Sequence, residues 1–441
     1  MRRAALALVL ALACEASAET VSSRHVELSS DVRHRPLLEK LVATIESALP
    51  VLEGHVPGLS LAPGEKLVFH LYERRADYAR ACEEQLVPEM KERSGFTAIG
   101  GASYLVLEPR SEPLFLERVG DLPETTALLA CHEAVHQWLA RTGGAPSDAL
   151  LPAWYCEGMA EHLASLCAGG VHALEKPERA LEALASGRLP SLERLLHSDL
   201  SPENRSLLYS CAASFYGLLA REPAKLVRLH RVIRELPAPP GKERTERFAL
   251  ACAQALVEIY GPLDRLEERW RAALSATELA WFEDGACSQL VPDGAVCSGI
   301  PGGDGGLLVS GRRPEGESVT VSCEVEVLGV GSGRACLVLA YEGRANRRFL
   351  EIALSGDEIA LEAYSDGRYR PELAKRVARA VLVPGERVPL RVSADREKVR
   401  VSSRGEVLLE APLPGGFSVL HGRWGVGARD EVAVFTGIQG P

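Results

Sequence analysis

The chain has 441 residues, 46% of them hydrophobic and 25% charged, with a formal net charge of -10 at pH 7. That length exceeds one ordinary domain, and the composition is that of folded domains with sizeable cores, which excludes a disordered or fibrous chain. The acidic balance, with no basic stripe interleaved with aromatics, excludes general nucleic-acid binding.

The first predicted element is a processing signal. Arg2-Arg3, the apolar run from Ala4 to Ala13 and the sequence Ala16-Ser17-Ala18 read as a signal peptide over residues 1–18. Ten apolar residues are too few to span a membrane. Lipidation at Cys14 is the alternative, although Ala11-Leu12-Ala13 lacks leucine at the usual third position before the cysteine. A secreted, periplasmic or extracellular location is therefore expected. Of the 11 cysteines, ten remain after Cys14, and an oxidising compartment predicts disulfides. Cys323 and Cys336, read as lying on adjacent strands around Gly331-Ser332-Gly333, are one local candidate pair. Cys287 and Cys297 are another.

A helix is predicted around Leu37 to Ala48, a strand from Lys66 to Tyr72, a helix from Arg75 to Gln85 and a strand from Ser103 to Leu107. The two strands predict a small sheet packed against the helix that follows. That helix is predicted from Pro123 to Arg141, with Pro123-Glu124 in its first turn and Gly143-Gly144 beyond its end. A loop from Ala145 to Pro152 leads into another helix ending near Gly169-Gly170. From Pro177 to Phe282 the apolar spacing is helical, punctuated by Pro190, Pro202, Pro223 and the stretch Pro237 to Pro240.

Composition then shifts. Residues 285–305, with Pro292, Asp293-Gly294 and Pro301-Gly302-Gly303-Asp304-Gly305, read as a linker. Beyond it the hydrophobic period changes to two, as in Val319-Thr320-Val321-Ser322-Cys323-Glu324-Val325 and Lys398-Val399-Arg400-Val401. Residues 306–441 are accordingly predicted to form an all-β sandwich.

The chemistry concentrates in His132-Glu133-Ala134-Val135-His136. Residues four apart share one helix face, so His132 and His136 can present two imidazoles to one metal ion. After a gap of 20 residues comes Glu157-Gly158-Met159-Ala160-Glu161. Glu157, early in the next helix, is the natural third protein ligand of a zinc ion, and Glu133 lies where it can act as general base on an activated water.

This arrangement resembles the gluzincin, or peptidase MA-like, zinc metallopeptidases over about residues 65 to 220. The resemblance implies His132, His136 and Glu157 as metal ligands, Glu133 as base and Glu161 as the acidic position behind a ligand histidine. Leu208-Tyr209-Ser210 and Ser214-Phe215-Tyr216-Gly217 resemble the family's downstream helix, whose tyrosine stabilises the oxyanion. Tyr209 is taken for that role, with Tyr216 as the alternative. The glycine-methionine-glutamate motif that binds a free amine in the family's aminopeptidases is absent. Gly100-Gly101-Ala102-Ser103-Tyr104 stands in its place, so exopeptidase and endopeptidase both stay open. Gly422-Arg423-Trp424-Gly425-Val426-Gly427-Ala428 and Val432-Ala433-Val434-Phe435 resemble the closing strands of concanavalin-like jelly rolls.

The expected protein is multidomain: a signal peptide (1–18), an α+β, mainly helical zincin-like metallopeptidase domain (19–284), a linker (285–305) and a jelly-roll sandwich (306–441). Its expected cofactor is Zn2+, and its expected partners are a protein or peptide substrate and a carbohydrate or surface ligand at the sandwich. A non-catalytic glycan- or surface-binding protein, and a zinc hydrolase acting on a non-peptide bond, are the alternatives.

Overall fold

A computed structural model describes residues 19–98, 101–107, 124–143, 151–168, 175–197, 205–237, 244–277, 281–285, 288–291, 294–298, 306–314, 316–328, 333–342, 348–365, 368–370, 373–378, 381–420, 422–429 and 432–441. Residues 1–18, expected as a signal peptide and including Cys14, lie outside them, as do Gly100, Cys287 and Asp304. The chain divides into two compact units. The first comprises residues 1–109, 125–169 and 190–271; the second comprises residues 110–124, 170–189 and 272–441. The architecture is α+β: a mainly helical first unit, then an all-β jelly-roll sandwich.

The first unit holds a five-stranded mixed sheet in the order β1-β2-β3-β5-β4. Its strands are β1 (Glu19–Ser22), β2 (Val26–Ser30), β3 (Leu67–Tyr72), β4 (Gly95–Thr97) and β5 (Ala102–Val106). The two expected strands are its centre, and β2 and β5 both run parallel to β3. In β3, Leu67, Phe69 and Leu71 are buried at every second residue, as one packed sheet face requires. Edge strand β4 is antiparallel to β5, with Thr97 opposite Ser103.

Helix α1 (Arg35–His55) begins where His34 accepts a hydrogen bond from the Leu37 amide, and it continues through Pro50. The expected end at Ala48 is therefore too early. Ile45, Leu49 and Leu52 keep one buried stripe running past the proline, and that packing outweighs one lost backbone hydrogen bond. The remaining helices of this unit are α2 (Arg75–Glu84), α3 (Glu124–Arg141), α4 (Ala153–Ala168), α6 (Leu192–His197), α7 (Arg205–Ala220), α8 (Pro223–Glu235), α9 (Arg244–Tyr260) and α10 (Leu263–Ser275). Helix α5 (Glu175–Ala185) falls in the second unit.

Besides α5, the second unit holds a sandwich of two antiparallel sheets. Its strands are β6 (Trp281–Gly285), β7 (Ser288–Val291), β8 (Gly294–Ser298), β9 (Gly306–Ser310), β10 (Val319–Val327), β11 (Arg334–Tyr341), β12 (Phe349–Leu354), β13 (Glu358–Ser365), β14 (Arg368–Tyr369), β15 (Lys375–Ala378), β16 (Val388–Ala394), β17 (Lys398–Ser403), β18 (Glu406–Pro412), β19 (Arg423–Arg429) and β20 (Val432–Gln439). One sheet has the order β18-β17-β16-β10-β20-β8-β7; the other has the order β14-β13-β12-β11-β19-β9-β6, with β15 added beside β13. A core including Val321, Leu337, Ile352, Leu361, Val392, Val426 and Phe435 fills the space between them.

Two expectations are corrected here. Within the stretch expected as a linker, 285–305, the described residues 285, 288–291 and 294–298 lie in strands. Strand β6 (Trp281–Gly285) pairs with β9 (Gly306–Ser310), while β7 (Ser288–Val291) and β8 (Gly294–Ser298) extend the other sheet. The sandwich therefore begins at Trp281, and the helical stretch ends at Ser275.

The second correction concerns the cysteines. No disulfide joins any two of the described cysteines. Cys323 sits on β10 (Val319–Val327), which pairs with β16 and β20, whereas Cys336 sits on β11 (Arg334–Tyr341), which pairs with β12 and β19. The two strands belong to opposite sheets. Cys323 points into the inter-sheet core, while Cys336 lies 3.2 Å from Glu351 Oε1. Cys131, in an apolar cluster with Ala48 and Ala164, likewise behaves as a small hydrophobe. The Cys287–Cys297 expectation rests on Cys287, outside the described residues.

Candidate metal centre

Helix α3 carries His132, Glu133 and His136, and α4 carries Glu157 and Glu161. The two imidazoles share a face of α3, with ring centroids 4.8 Å apart. His132 Nε2 and His136 Nε2 are 3.1 Å apart. Glu157 Oε2 lies 3.2 Å from the first and 3.5 Å from the second. A zinc ion about 2.0–2.1 Å from each of three tetrahedral ligands holds them about 3.3–3.4 Å apart. The donor set thus fits zinc in both chemistry and spacing. It is the one cluster of three or more His, Cys, Asp and Glu suited to a metal among the described residues.

Glu157 Oε2 is buried without a well-aligned hydrogen bond. A carboxylate oxygen in that position needs a cation. Burial pushes the Glu157 carboxyl upward, but His136 and His132 more than offset this and hold it well below the usual carboxylate range. For His132, burial works against the charged form, and the hydrogen bond and charge of Glu157 together with the charge of Glu161 raise it overall. Glu157 is therefore ionised, as a ligand must be.

Helix α4 brings Glu157 to this point by way of its small residues. A Cβ at Gly158 would stand 2.7 Å from the Ala212 carbonyl oxygen, so α4 and α7 approach at backbone distance. That approach places Tyr209 of α7 beside the histidines, its ring 6.3 Å from that of His132. Burial and the charge of Glu157 push the Tyr209 hydroxyl far up, so it keeps its proton and can donate. Tyr216 does not reach the site. Its hydroxyl lies 3.0 Å from His230 Nε2, and Tyr155 takes the other ring nitrogen at 2.5 Å. Glu161 stands behind His132, its Oε1 3.7 Å from Nδ1, which is ion-pair distance and longer than a hydrogen bond.

Glu133 is 5% exposed. Its Oε2 accepts a hydrogen bond from Thr97 Oγ1 at 2.6 Å. Thr97, Ser103 and Gln137 were not legible as site residues. The available signals were that Gln137 directly follows His136, and that a polar Ser103 interrupts an apolar strand.

No known family model matches the chain, and a search of curated proteins finds no relative. Among solved structures, the C-terminal β-sandwich resembles a carbohydrate-binding module (CBM66) of Bacillus subtilis, with 15% identity, 37% of this chain and 96% of that chain covered, and a TM-score of 0.30. It also resembles sheep galectin-11 in complex with glycerol, with 11% identity, coverage of 34% and 100%, and a TM-score of 0.26. A Bacillus licheniformis beta-glucanase is similar at 8% identity, coverage of 30% and 68%, and a TM-score of 0.25. Likenesses this distant carry no argument about activity or ligand.

Proposed function

We propose that the protein is a zinc-dependent peptidase. The observation that carries this reading is the triangle of His132 Nε2, His136 Nε2 and Glu157 Oε2, with edges of 3.1, 3.2 and 3.5 Å, beside the Glu133 carboxylate. When bound, zinc supplies a Lewis acid and brings the pKa of a coordinated water towards about 7. His132, His136 and Glu157 hold the ion, and Glu161 orients His132 from behind. Glu133 accepts the proton of the attacking water and delivers it to the departing amine. Tyr209, keeping its proton, donates to the oxygen on which negative charge develops. The expected export and the exo- or endopeptidase choice belong to the same proposal.

The test is Glu133→Gln. The amide is nearly isosteric with the carboxyl, so zinc content by elemental analysis stays at the wild-type level while turnover of a peptide library disappears. Wild-type turnover in this variant would reject the mechanism. Cleavage of esters or glycosides alone would favour the non-peptide hydrolase.

The second reading is a carbohydrate or surface ligand at the sandwich, with or without catalysis. One row of rings favours it. On the eight-stranded sheet, Phe349 stacks on Tyr364 at 4.8 Å and 11°, and Tyr364 lies 5.9 Å from Tyr369. Both tyrosines are half-buried, Tyr364 with the Arg429 guanidinium over its ring at 4.5 Å and Tyr369 with that of Arg376 at 5.9 Å. Aromatic faces of this kind offer an apolar platform with polar hydroxyl handles. A glycan screen on wild type and Tyr369→Ala decides: no glycan bound, or equal binding by both, removes this site.

A further inference from the structure

The peptidase reading leaves unexplained how Glu133, flanked by apolar helix, holds one orientation. The answer lies in a chain of polar groups that starts on the sheet backbone. Gln137 is fully buried. Its Oε1 accepts from the Val68 amide at 2.8 Å, and its Nε2 donates to the Val68 carbonyl at 2.8 Å. This double contact fixes the amide, because reversing it would set N–H against N–H and oxygen against oxygen.

The second hydrogen on Nε2 goes to Ser103 Oγ, 2.6 Å away. Ser103 Oγ is 2.8 Å from Thr97 Oγ1, which is 2.6 Å from Glu133 Oε2. Each hydroxyl has one hydrogen to give. A carboxylate can only accept, so the hydrogen of Thr97 goes to Glu133. Ser103 then has to donate to Thr97. The chain runs one way: Gln137 to Ser103 to Thr97 to Glu133, with each hydroxyl hydrogen used. Among the described residues, Oε1 of Glu133 receives no hydrogen bond.

We propose that Thr97 is a positioning residue for Glu133: this one-way chain occupies Oε2 and leaves Oε1 as the oxygen that takes and returns the proton. The proposal rests on the peptidase reading. Hydrogen bonds to an ionised acceptor are the strong, directional ones, and this one is anchored through three side chains to a strand. Backbone register supports it, since Thr97 and Ser103 are direct partners across β4 and β5. Isolated Thr97 on a three-residue edge strand would be free to choose another rotamer; with its acceptor site filled by Ser103, it is not.

Two measurements test it. The first needs no metal and no substrate. In metal-free protein, the folding equilibrium is measured by urea titration for wild type, Thr97→Val, Glu133→Ala and the double variant. A coupling of about tenfold or more in the equilibrium constant is expected for a hydrogen bond to a charged group. The second is kinetic, on zinc-loaded protein. Thr97→Val lowers kcat about 10- to 100-fold with KM within about twofold, and Thr97→Ser, which keeps the hydroxyl, restores kcat. Zinc content is unchanged in both. Ser103→Ala, which frees Thr97 to rotate, lies between them and serves should Thr97→Val fold poorly. An additive cycle overturns the proposal. So does a Thr97→Val enzyme with wild-type kcat, or a Thr97→Ser enzyme as slow as Thr97→Val. A wild type that cleaves no peptide fails the peptidase reading instead, and the metal-free cycle then decides the chain by itself.

Discussion

Gly158 and Ala212 meet at backbone distance: a Cβ on the glycine would lie 2.7 Å from the Ala212 carbonyl oxygen and 3.3 Å from Tyr216 Cβ. Glu157 is the next residue along α4, and Tyr209 is three residues before Ala212 on α7. One contact thus sets the separation of a proposed metal ligand from a proposed oxyanion donor.

Gly158→Ala should therefore push the two helices apart. Neither neighbour is a flexible tip that can step aside, so overpacking is expected to cost about 1–3 kcal/mol. The urea midpoint should fall, and zinc should dissociate faster because Glu157 moves with the helix. Wild-type values of both would show that this contact does not set the position of Glu157.

Removing Glu157 and removing Glu161 should differ in kind. Glu157→Ala takes away an ionised ligand at the corner of the triangle. Glu161→Ala takes away only the partner behind His132, for which a loss on the order of 10- to 100-fold in zinc affinity is expected. Competition with a chelator of known affinity measures both. Equal zinc affinity in Glu157→Ala and wild type would reject Glu157 as a ligand.

Tyr209→Phe should lower kcat with little change in KM, because a donor to the oxyanion acts mainly in the transition state. Tyr216→Phe should instead destabilise the fold, since the Tyr216 hydroxyl faces His230 in the core and not the histidine pair. Steady-state kinetics together with thermal melting separate the two. An unimpaired Tyr209→Phe enzyme would exclude the assigned role.

Acid should weaken the first unit through its buried imidazoles. Burial, reinforced by the charge of His55, depresses His230 to about 3 and His162 to about 4. In the unfolded chain a histidine protonates near about 6.5. As pH falls below that value, the unfolded chain takes up protons that the folded protein refuses. Stability is thus complete above about 6.5 and declines on acidification, at up to about 1.4 kcal/mol per pH unit for each histidine. Urea midpoints at pH 7.5, 6 and 5 should show the decline. His230→Gln, which can still accept from one tyrosine and donate to the other, should be less stable at neutral pH but shallower in slope. A slope identical to wild type would assign the acid response to other groups.

Helix α3 was legible because its signals are local. His132 and His136 share a face through helix geometry alone, and Gly143 follows the last turn as a helix end requires. The sandwich was legible as a class, since period-two alternation in β10 and β16 (Val388–Ala394) marks half-buried strands. Sheet membership was not. Cys323 and Cys336 are close in sequence and read as hairpin partners, yet they lie on opposite sheets. The stretch from Trp281 to Ser298 was misread for a related reason: short strands rich in turn residues carry too little periodicity to register as strands.

By itself, the sequence determined the chemistry available: two imidazoles on one face, a carboxylate between them in sequence, and two more carboxylates one turn apart on the next helix. Spacing along a helix converts directly into geometry because the backbone hydrogen bonds fix it. Only the tertiary structure decided which distant groups meet that set. Thr97 reaches Glu133 because β4 pairs with β5 and Gln137 ties α3 to β3. Tyr209 rather than Tyr216 faces His132 because Gly158 admits α7 at backbone distance, which turns Tyr216 into the core against His230. Such contacts join elements far apart in the chain. They arise from the complementarity of packed faces, and no period within either segment encodes them.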